Sequence, residues 1–379
     1  MNISTLTPPP LSLYLHYPWC RQKCPYCDFN SHTRGEEPSR YLASLLQDLK
    51  DELALSESRP LKTLFIGGGT PSLIPPKLLR PIMEALQRSG RWNLGNEATL
   101  EANPNSADQR YFQAYYALGI NRLSLGVQSF HDRQLQALGR LHSAAEAHQA
   151  IALAKRAGFK RINLDLMFGL PHQSPAEALA DLRQAIACEV EHLSWYQLTL
   201  EPHTPFYHTP PPLPDEQWLV EVQQQGIELL QQHGYERYEI SAFARPSGRC
   251  QHNLNYWNFG DYLAVGAGAH GKYTHSDATV VRTSKQRLPQ RYMQPSAAQP
   301  LSRHTRLTQA DILCELMLNG LRLVEGIEST QLSRYAVEAL AEPAINAARQ
   351  RGLLQQQRQR IAATPTGYLF LNEVLQLFC

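Results

Sequence analysis

The chain has 379 residues, 43% of them hydrophobic, and a formal net charge of +2. That length suits two domains or one large barrel with an appendage, and so small a charge excludes a global attraction to nucleic acid or anionic lipid. No run reaches the ~18 apolar residues of a membrane span, and seven cysteines, an odd number behind no apolar leader, favour a reducing, cytoplasmic setting over a disulfide framework.

In chain order, short β-like runs alternate with longer stretches of helical spacing. The runs fall at 13–16, 63–66, 98–101, 122–127, 161–168 and 193–200, and the helix-like stretches at 41–55, 76–89, 107–118, 144–157 and 176–187. This alternation predicts parallel βαβ units, six of them, enough for most of a barrel. The Pro-rich stretch 210–214 closes the sixth unit, after which 216–232 reads as a helix and 238–241 as a strand. The core is expected to span 1–275. Residues 276–302, polar and carrying Pro289, Pro295 and Pro300, read as a linker or long loop. In the remaining module, 303–379, helices are expected at 307–318 and 331–349, with a hairpin pairing 360–363 and 368–371 around Thr366-Gly367, a winged-helix-like arrangement. Arg349, Arg351, Arg358 and Arg360 lack interleaved aromatic residues and read as a solvated face, so no nucleic-acid partner is expected.

The chemically distinctive residues sit just past the ends of these strands. In a β/α barrel that face holds the active site. After the first strand comes Cys20-x3-Cys24-x2-Cys27 with no fourth cysteine close by. Iron–sulfur clusters are normally held by four cysteines, so three thiolates on a four-iron cluster leave one iron open, as catalytic metal sites do. The competing reading is zinc, with His16 or His32 completing the shell.

The second strand runs into Gly67-Gly68-Gly69-Thr70-Pro71, where backbone can approach a ligand closely. The Lys-Ser/Thr of a phosphate loop is missing, and its carbonyls suit an ammonium group. Glu101, Gln128, Arg140 and Asp165 follow at later strand ends or beyond them, and the sixth run leads to Glu201. Carboxylates suit an ammonium and hydroxyls, while Arg pairs with a carboxylate; the alternative for each is a strand-end cap or salt bridge. Cys188 and Cys314 lie in helix-like stretches and read as small buried apolar residues. Cys250 reads as buried too, or as a second iron or heme ligand beside His252, and Cys379 is uninformative.

Together these features resemble the radical S-adenosylmethionine enzymes. Longer strings are more specific: Tyr14-Leu-His16-Tyr-Pro18-Trp-Cys20, Cys24-Pro-Tyr-Cys27-Asp-Phe29-Asn-Ser-His32, Glu101-Ala-Asn103-Pro104, Arg122-Leu-Ser124-Leu-Gly126-Val-Gln128-Ser-Phe130, Leu138-Gly-Arg140-Leu-His142 and Asn163-Leu-Asp165-Leu-Met-Phe-Gly169-Leu-Pro171. They resemble the oxygen-independent coproporphyrinogen III oxidase-like (HemN-like) family over nearly the whole chain. The resemblance implies an α/β fold, a partial (β/α)6 barrel with a small C-terminal helical module. It implies a [4Fe-4S] cluster on Cys20, Cys24 and Cys27 whose open iron chelates S-adenosylmethionine. Tyr14, Tyr26, Gly68, Gly69, Thr70, Glu101, Gln128, Arg140, Asp165 and His270 match positions that contact one or two S-adenosylmethionine molecules in the related oxidases.

Two departures separate this chain from those oxidases. Their pattern is Cys-x3-Cys-x2-Cys-x-Cys behind a longer N-terminal segment, whereas here the fourth position is Phe29 and the cluster loop starts at Cys20. Both point to the family's heme-chaperone branch. His252-Asn253-Leu-Asn-Tyr256-Trp257 matches that branch's His-Asn-x-x-Tyr-Trp motif, associated with heme. An imidazole can ligate heme iron and aromatic rings can pack on a porphyrin; the alternative is a structural histidine at a domain junction. The resemblance thus implies heme as cargo and an acceptor hemoprotein, such as a membrane-bound respiratory enzyme. It also implies a cytoplasmic protein that reaches the inner membrane face peripherally, with a homodimer as a further candidate assembly. The competing expectation is an enzyme, the oxidative decarboxylase itself.

Overall fold

The computed structural model describes residues 7–105, 109–296 and 301–379. Among these residues the frame is one sheet of twelve strands. Six of them lie parallel in chain order: β1 (Leu11–Tyr17), β2 (Leu61–Gly68), β3 (Glu97–Ala102), β4 (Arg122–Gln128), β5 (Arg161–Phe168) and β6 (His192–Gln197). These are the six predicted units, with helices Pro38–Leu55, Pro76–Arg88, Phe112–Ala117, Ala144–Arg156 and Pro175–Ala187 between them. The expected helix at 107–118 starts partly outside the described residues. Ser143 with Glu146, and Ser174 with Glu177, close capping boxes on the last two helices, each contributing about 1 kcal/mol.

Side-chain alternation along the strands decides which face goes where. Leu13 and Leu15, Leu64 and Ile66, Leu123 and Leu125, and Leu164 and Leu166 are buried on the outer face against the helices, each contributing at most ~1.5–3 kcal/mol. The residues between them point inward and most are polar: Ser12 and Tyr14, Thr63, Thr99 and Glu101, Arg122 and Ser124, Asn163 and Asp165, His192 and Ser194, with the apolar Phe65 packed between Tyr14 and His252. Hydrogen bonds link them across strands, with Thr63 Oγ1 donating to Ser12 Oγ (2.8 Å) and Asn163 Nδ2 to Ser124 Oγ (2.7 Å). The barrel interior is therefore a polar column, unlike the Val, Ile and Leu layers that fill closed eight-stranded barrels.

The barrel stays open. Beyond β6 lie β8 (Ala242–Ala244) and β7 (Glu236–Arg237), both antiparallel. On the other side β1 pairs with β9 (Asp261–Val265) in parallel, followed by antiparallel β10 (His270–Thr274), β11 (Val280–Lys285) and β12 (Ser302–Arg306). Two sequence expectations change here. Residues 238–241 form the turn between β7 and β8 and are not a strand. The stretch 276–302 contains β11 and helix Pro289–Tyr292, so its described part belongs to the sheet. Pro300 lies outside the described residues.

In the terminal module the predicted first helix is Gln309–Gly320, while the expected helix at 331–349 is two, Thr330–Arg334 and Glu338–Gln350. They break at Ala336, whose φ of +54° no helix accommodates. The expected hairpin is absent. Arg360–Ile361 (β14) pairs instead with Ile327–Glu328 (β13), and Thr364 caps a helix, Pro365–Leu369, in which Pro365 stands in the first turn. Cys314 is bonded to Cys379, so the reading of Cys314 as a free apolar residue is corrected. Phe259 and Val280 share one core with Leu316, Met317 and Val337, packing the module against the sheet.

Candidate functional site

The loop after β1 closes on itself before it presents any thiol. Cys20 N donates to His32 O (2.9 Å) and His32 N to Pro18 O (2.7 Å), while buried Trp19 anchors the entry by donating to Arg34 O (3.2 Å). Cys20, Cys24 and Cys27 then line one cavity enclosing about 760 Å³ of space up to its open mouth, together with Gly68, Gly69, Thr70, Glu101, Gln128, Arg140 and Asp165. Strands β1 to β5 each deliver their residue at the C-terminal end, so the parallel order gathers in space what the chain separates.

Two groups donate to the sulfurs. Thr70 Oγ1 lies 3.4 Å from Cys20 Sγ, and Arg140 Nη1 lies 3.7 Å from Cys24 Sγ. Hydrogen bonds of this kind tune an iron–sulfur centre. Burial pushes the Cys20 and Cys27 thiols above their ordinary values, so a cluster must displace protons to bind them. The glycine turn approaches this loop so closely that a Cβ on Gly69 would stand 2.6 Å from Trp19 O, and one on Gly68, at φ +122°, 2.7 Å from Tyr17 O. Only glycine fits either position.

Behind the thiols the polar groups are fixed but unsatisfied. Arg140 Nη2 donates to Asn103 Oδ1 and Gly126 O, both at 2.7 Å, and its buried Nε has no partner among the described residues. Asn103 Nδ2 donates in turn to Thr70 Oγ1 (3.1 Å). Glu101 Oε2 accepts from Gly68 N (3.1 Å), and burial followed by the Asp165 carboxylate pushes its pKa up to about 8. Asp165 is also raised by burial, although Asn163 and Ser124 donate to it. Gln128 holds φ +68° and accepts from Tyr196 Oη (3.0 Å); for a side chain of that size the conformation stores ~1–3 kcal/mol of strain. The cavity thus brings together a guanidinium nitrogen without a partner among the described residues and two carboxyl groups whose pKa values are raised by burial.

This donor set fits the groups the sequence implies. Three thiols on one wall suit a cluster with an open iron, and the carboxylates and Arg140 suit a ligand carrying an ammonium, hydroxyls and a carboxylate. Among the described residues no three His, Cys, Asp or Glu side chains draw together as a single ion requires, so the zinc reading finds no ready shell. His16 is in any case engaged, its Nε2 donating to Asn30 O (2.9 Å) and its Nδ1 accepting from Tyr14 Oη (2.9 Å).

Tyr26 joins the first cavity, but Tyr14 and His270 line a second one of about 920 Å³ that shares Phe29, Gly68 and Glu101 with the first. Phe29 stands 62% exposed at the position of the missing cysteine. Asn103 and Tyr196 are cavity residues that sequence reasoning does not assign. Asn103 carries a signal in its Glu-Ala-Asn-Pro string. Tyr196 carries none, because the sixth run extends to residue 200 in the sequence pattern and points instead to Glu201, whose carboxylate accepts from Thr199 (2.8 Å).

His252 lies elsewhere, at the opposite end of the barrel. Helix Gln251–Trp257 plugs that end, with Glu97 accepting from His252 N (2.9 Å), Gln251 N (3.1 Å) and the buried Cys250 Sγ (3.6 Å). His252 Nδ1 pairs with Thr63 Oγ1 (2.7 Å) and Nε2 with Tyr256 Oη (2.7 Å). The Thr63 hydroxyl proton goes to Ser12, so the tautomer with Nδ1–H satisfies every group. Burial lowers the His252 pKa to about 3 and raises that of Cys250 to about 12. Tyr256 and Trp257 line a small cavity of about 370 Å³. Cys188 is half-buried at the end of helix Pro175–Ala187, and no described helix is long and apolar enough to cross a membrane.

Comparison with known proteins agrees with this fold. The radical SAM superfamily profile matches residues 14–185 and the HemN C-terminal domain profile residues 307–370. The chain is 45% identical to the heme chaperone HemW of Escherichia coli and 44% identical to that of Haemophilus influenzae, in each case over 98% of both chains. Its fold is similar to that of the radical SAM enzyme coproporphyrinogen III oxidase (HemN) from Escherichia coli, with a TM-score of 0.82 and 23% identity over 99% of this chain and 91% of that one.

Proposed function

The chain belongs to the HemW family of radical SAM proteins, and on that premise we propose that it is a heme chaperone, binding heme and passing it to an acceptor hemoprotein, with a respiratory enzyme the acceptor of choice. In this reading Cys20, Cys24 and Cys27 hold a [4Fe-4S] cluster. When bound, such a cluster would offer its open iron to the amino and carboxylate groups of S-adenosylmethionine and would supply one-electron reducing chemistry to its sulfonium. The chain's own part is to orient and to exclude water. In this reading Arg140 Nε pairs with a carboxylate, Glu101 takes the ammonium, and Asp165 with Gln128 takes hydroxyls. Tyr14 and His270 wall the adjoining cavity, which has room for a second S-adenosylmethionine. His252, Tyr256 and Trp257 enter heme binding only if helix Gln251–Trp257 shifts, because Nε2 must first leave Tyr256.

The observation that carries the choice of chaperone over decarboxylase is Phe29, exposed where the oxidases place a fourth cysteine. The test is a heme titration of the reconstituted protein followed by transfer to apo-hemoproteins. A Soret band that moves to the acceptor supports the proposal. Anaerobic incubation with coproporphyrinogen III, S-adenosylmethionine and reductant should leave the porphyrinogen unchanged; protoporphyrinogen at turnover rates would reverse the assignment.

A further inference from the structure

The cluster cavity and the plug leave one large opening unexplained, the groove between β6 and the terminal module. We infer that this groove seats the porphyrin, an inference that rests on the heme-chaperone reading above. It encloses about 1460 Å³ up to its open rim, against 760 Å³ for the cluster cavity measured in the same way. One wall is Trp195 and Tyr196 of β6 with Ile240; the facing wall is Leu369, Phe370 and Leu371. Leu369 and Phe370 are 61% and 48% exposed and take no part in the module's core. Two adjacent large apolar side chains held over a cavity favour a ligand with an apolar face.

The polar groups of the groove select the rest of that ligand. Arg322 spends Nη2 on Glu239 (3.0 Å) and stacks on Trp257 (4.4 Å), yet its buried Nε has no partner among the described residues. Trp195 Nε1 and Tyr368 Oη, also buried, are unpartnered too among those residues. These three donors without a partner among the described residues belong to side chains that line the groove. Among the described residues that line the groove the single acid, Glu373, is engaged by Arg351 (3.3 Å). A flat macrocycle with carboxylate edges meets both demands, its faces on Tyr196 and Phe370 and a propionate accepting from Arg322. The described residues lining the groove include no His, Cys or Met, so among the common axial ligands of heme iron only tyrosine is at hand there, as Tyr196 and Tyr368. Seating needs no movement of helix Gln251–Trp257.

The test uses the full-length protein with its cluster reconstituted. Leu369→Asp and Phe370→Asp change exposed residues, and circular dichroism with the cluster's absorbance checks that each variant folds. Each is expected to weaken heme at least tenfold, read from the Soret band and from quenching of tryptophan fluorescence. Arg322→Gln should weaken heme but leave the affinity for heme dimethyl ester as in wild type. If the wild type binds no heme, the chaperone reading fails and the groove with it. If the wild type binds and both Asp variants bind equally well, the groove alone is overturned. It is overturned equally if they keep heme but lose transfer, since the face would then contact the acceptor protein.

Discussion

The two ends of the barrel carry the same kinds of side chain and do opposite things. At the mouth stand Tyr14, Glu101, Arg140 and three cysteines; at the plug stand Tyr256, Glu97, Arg161, Cys250 and His252. The difference lies in saturation. Glu97 accepts from three groups of helix Gln251–Trp257 and its cap and from Arg161 Nη1 (2.8 Å), and both nitrogens of His252 are bonded. At the mouth Arg140 Nε is idle among the described residues, Glu101 is protonated up to about pH 8 and the glycine turn leaves space. Chemistry-bearing residues mark a site only where their bonding is incomplete.

The largest expected effect separates the ends outright. Replacing Cys20, Cys24 or Cys27 with Ser should abolish cluster iron and its charge-transfer absorbance, while Cys250→Ser should keep both; iron analysis after anaerobic reconstitution decides. Glu97→Ala breaks the plug. It strips Arg161 and the helix of a buried anion, and should cost ~3–5 kcal/mol in urea unfolding without removing the cluster's thiols from their loop.

At the mouth, Glu101→Gln should weaken S-adenosylmethionine about tenfold, or ~1.4 kcal/mol, by equilibrium dialysis. The same variant has a pH signature. Folded Glu101 keeps its proton to about pH 8, whereas the unfolded chain releases it near the ordinary value of 4.5. The ligand-free wild type therefore loses stability as pH rises from about 5 to 8, and Glu101→Gln should flatten that fall.

The plug has the reverse slope. His252 stays neutral to about pH 3 when folded but protonates near 6.5 when unfolded, so stability declines as pH falls through that window. His252→Gln should remove about one proton from the acid-unfolding slope. Smallest of all, Phe29→Cys alters a residue that bears no packing load and should move stability by no more than ~0.5 kcal/mol. If it also creates decarboxylase turnover, one side chain separates carrier from enzyme.

The parallel strands and the mouth are legible in the sequence because both are local. Two-residue alternation marks β1 to β6, and most cavity residues lie just past a strand end. What is not legible depends on distance or competition. Cys314 and Cys379 are 65 residues apart, with no pattern to pair them. The 368–371 segment has strand-like residues but follows a Thr364-Pro365 helix start, and the start wins. His252 stands out for its chemistry, while its saturation by Thr63, 189 residues away, is written nowhere near it.

Tyr196 lines both the cluster cavity and the groove, with its hydroxyl on Gln128. A ligand that turns this ring on one side reshapes the other, so the two occupancies share a coupling free energy. Such coupling is reciprocal: whatever factor S-adenosylmethionine imposes on the groove's guest, the guest returns to S-adenosylmethionine. If heme takes the groove as proposed above, a single phenol ring would let the barrel sense whether its cargo is aboard.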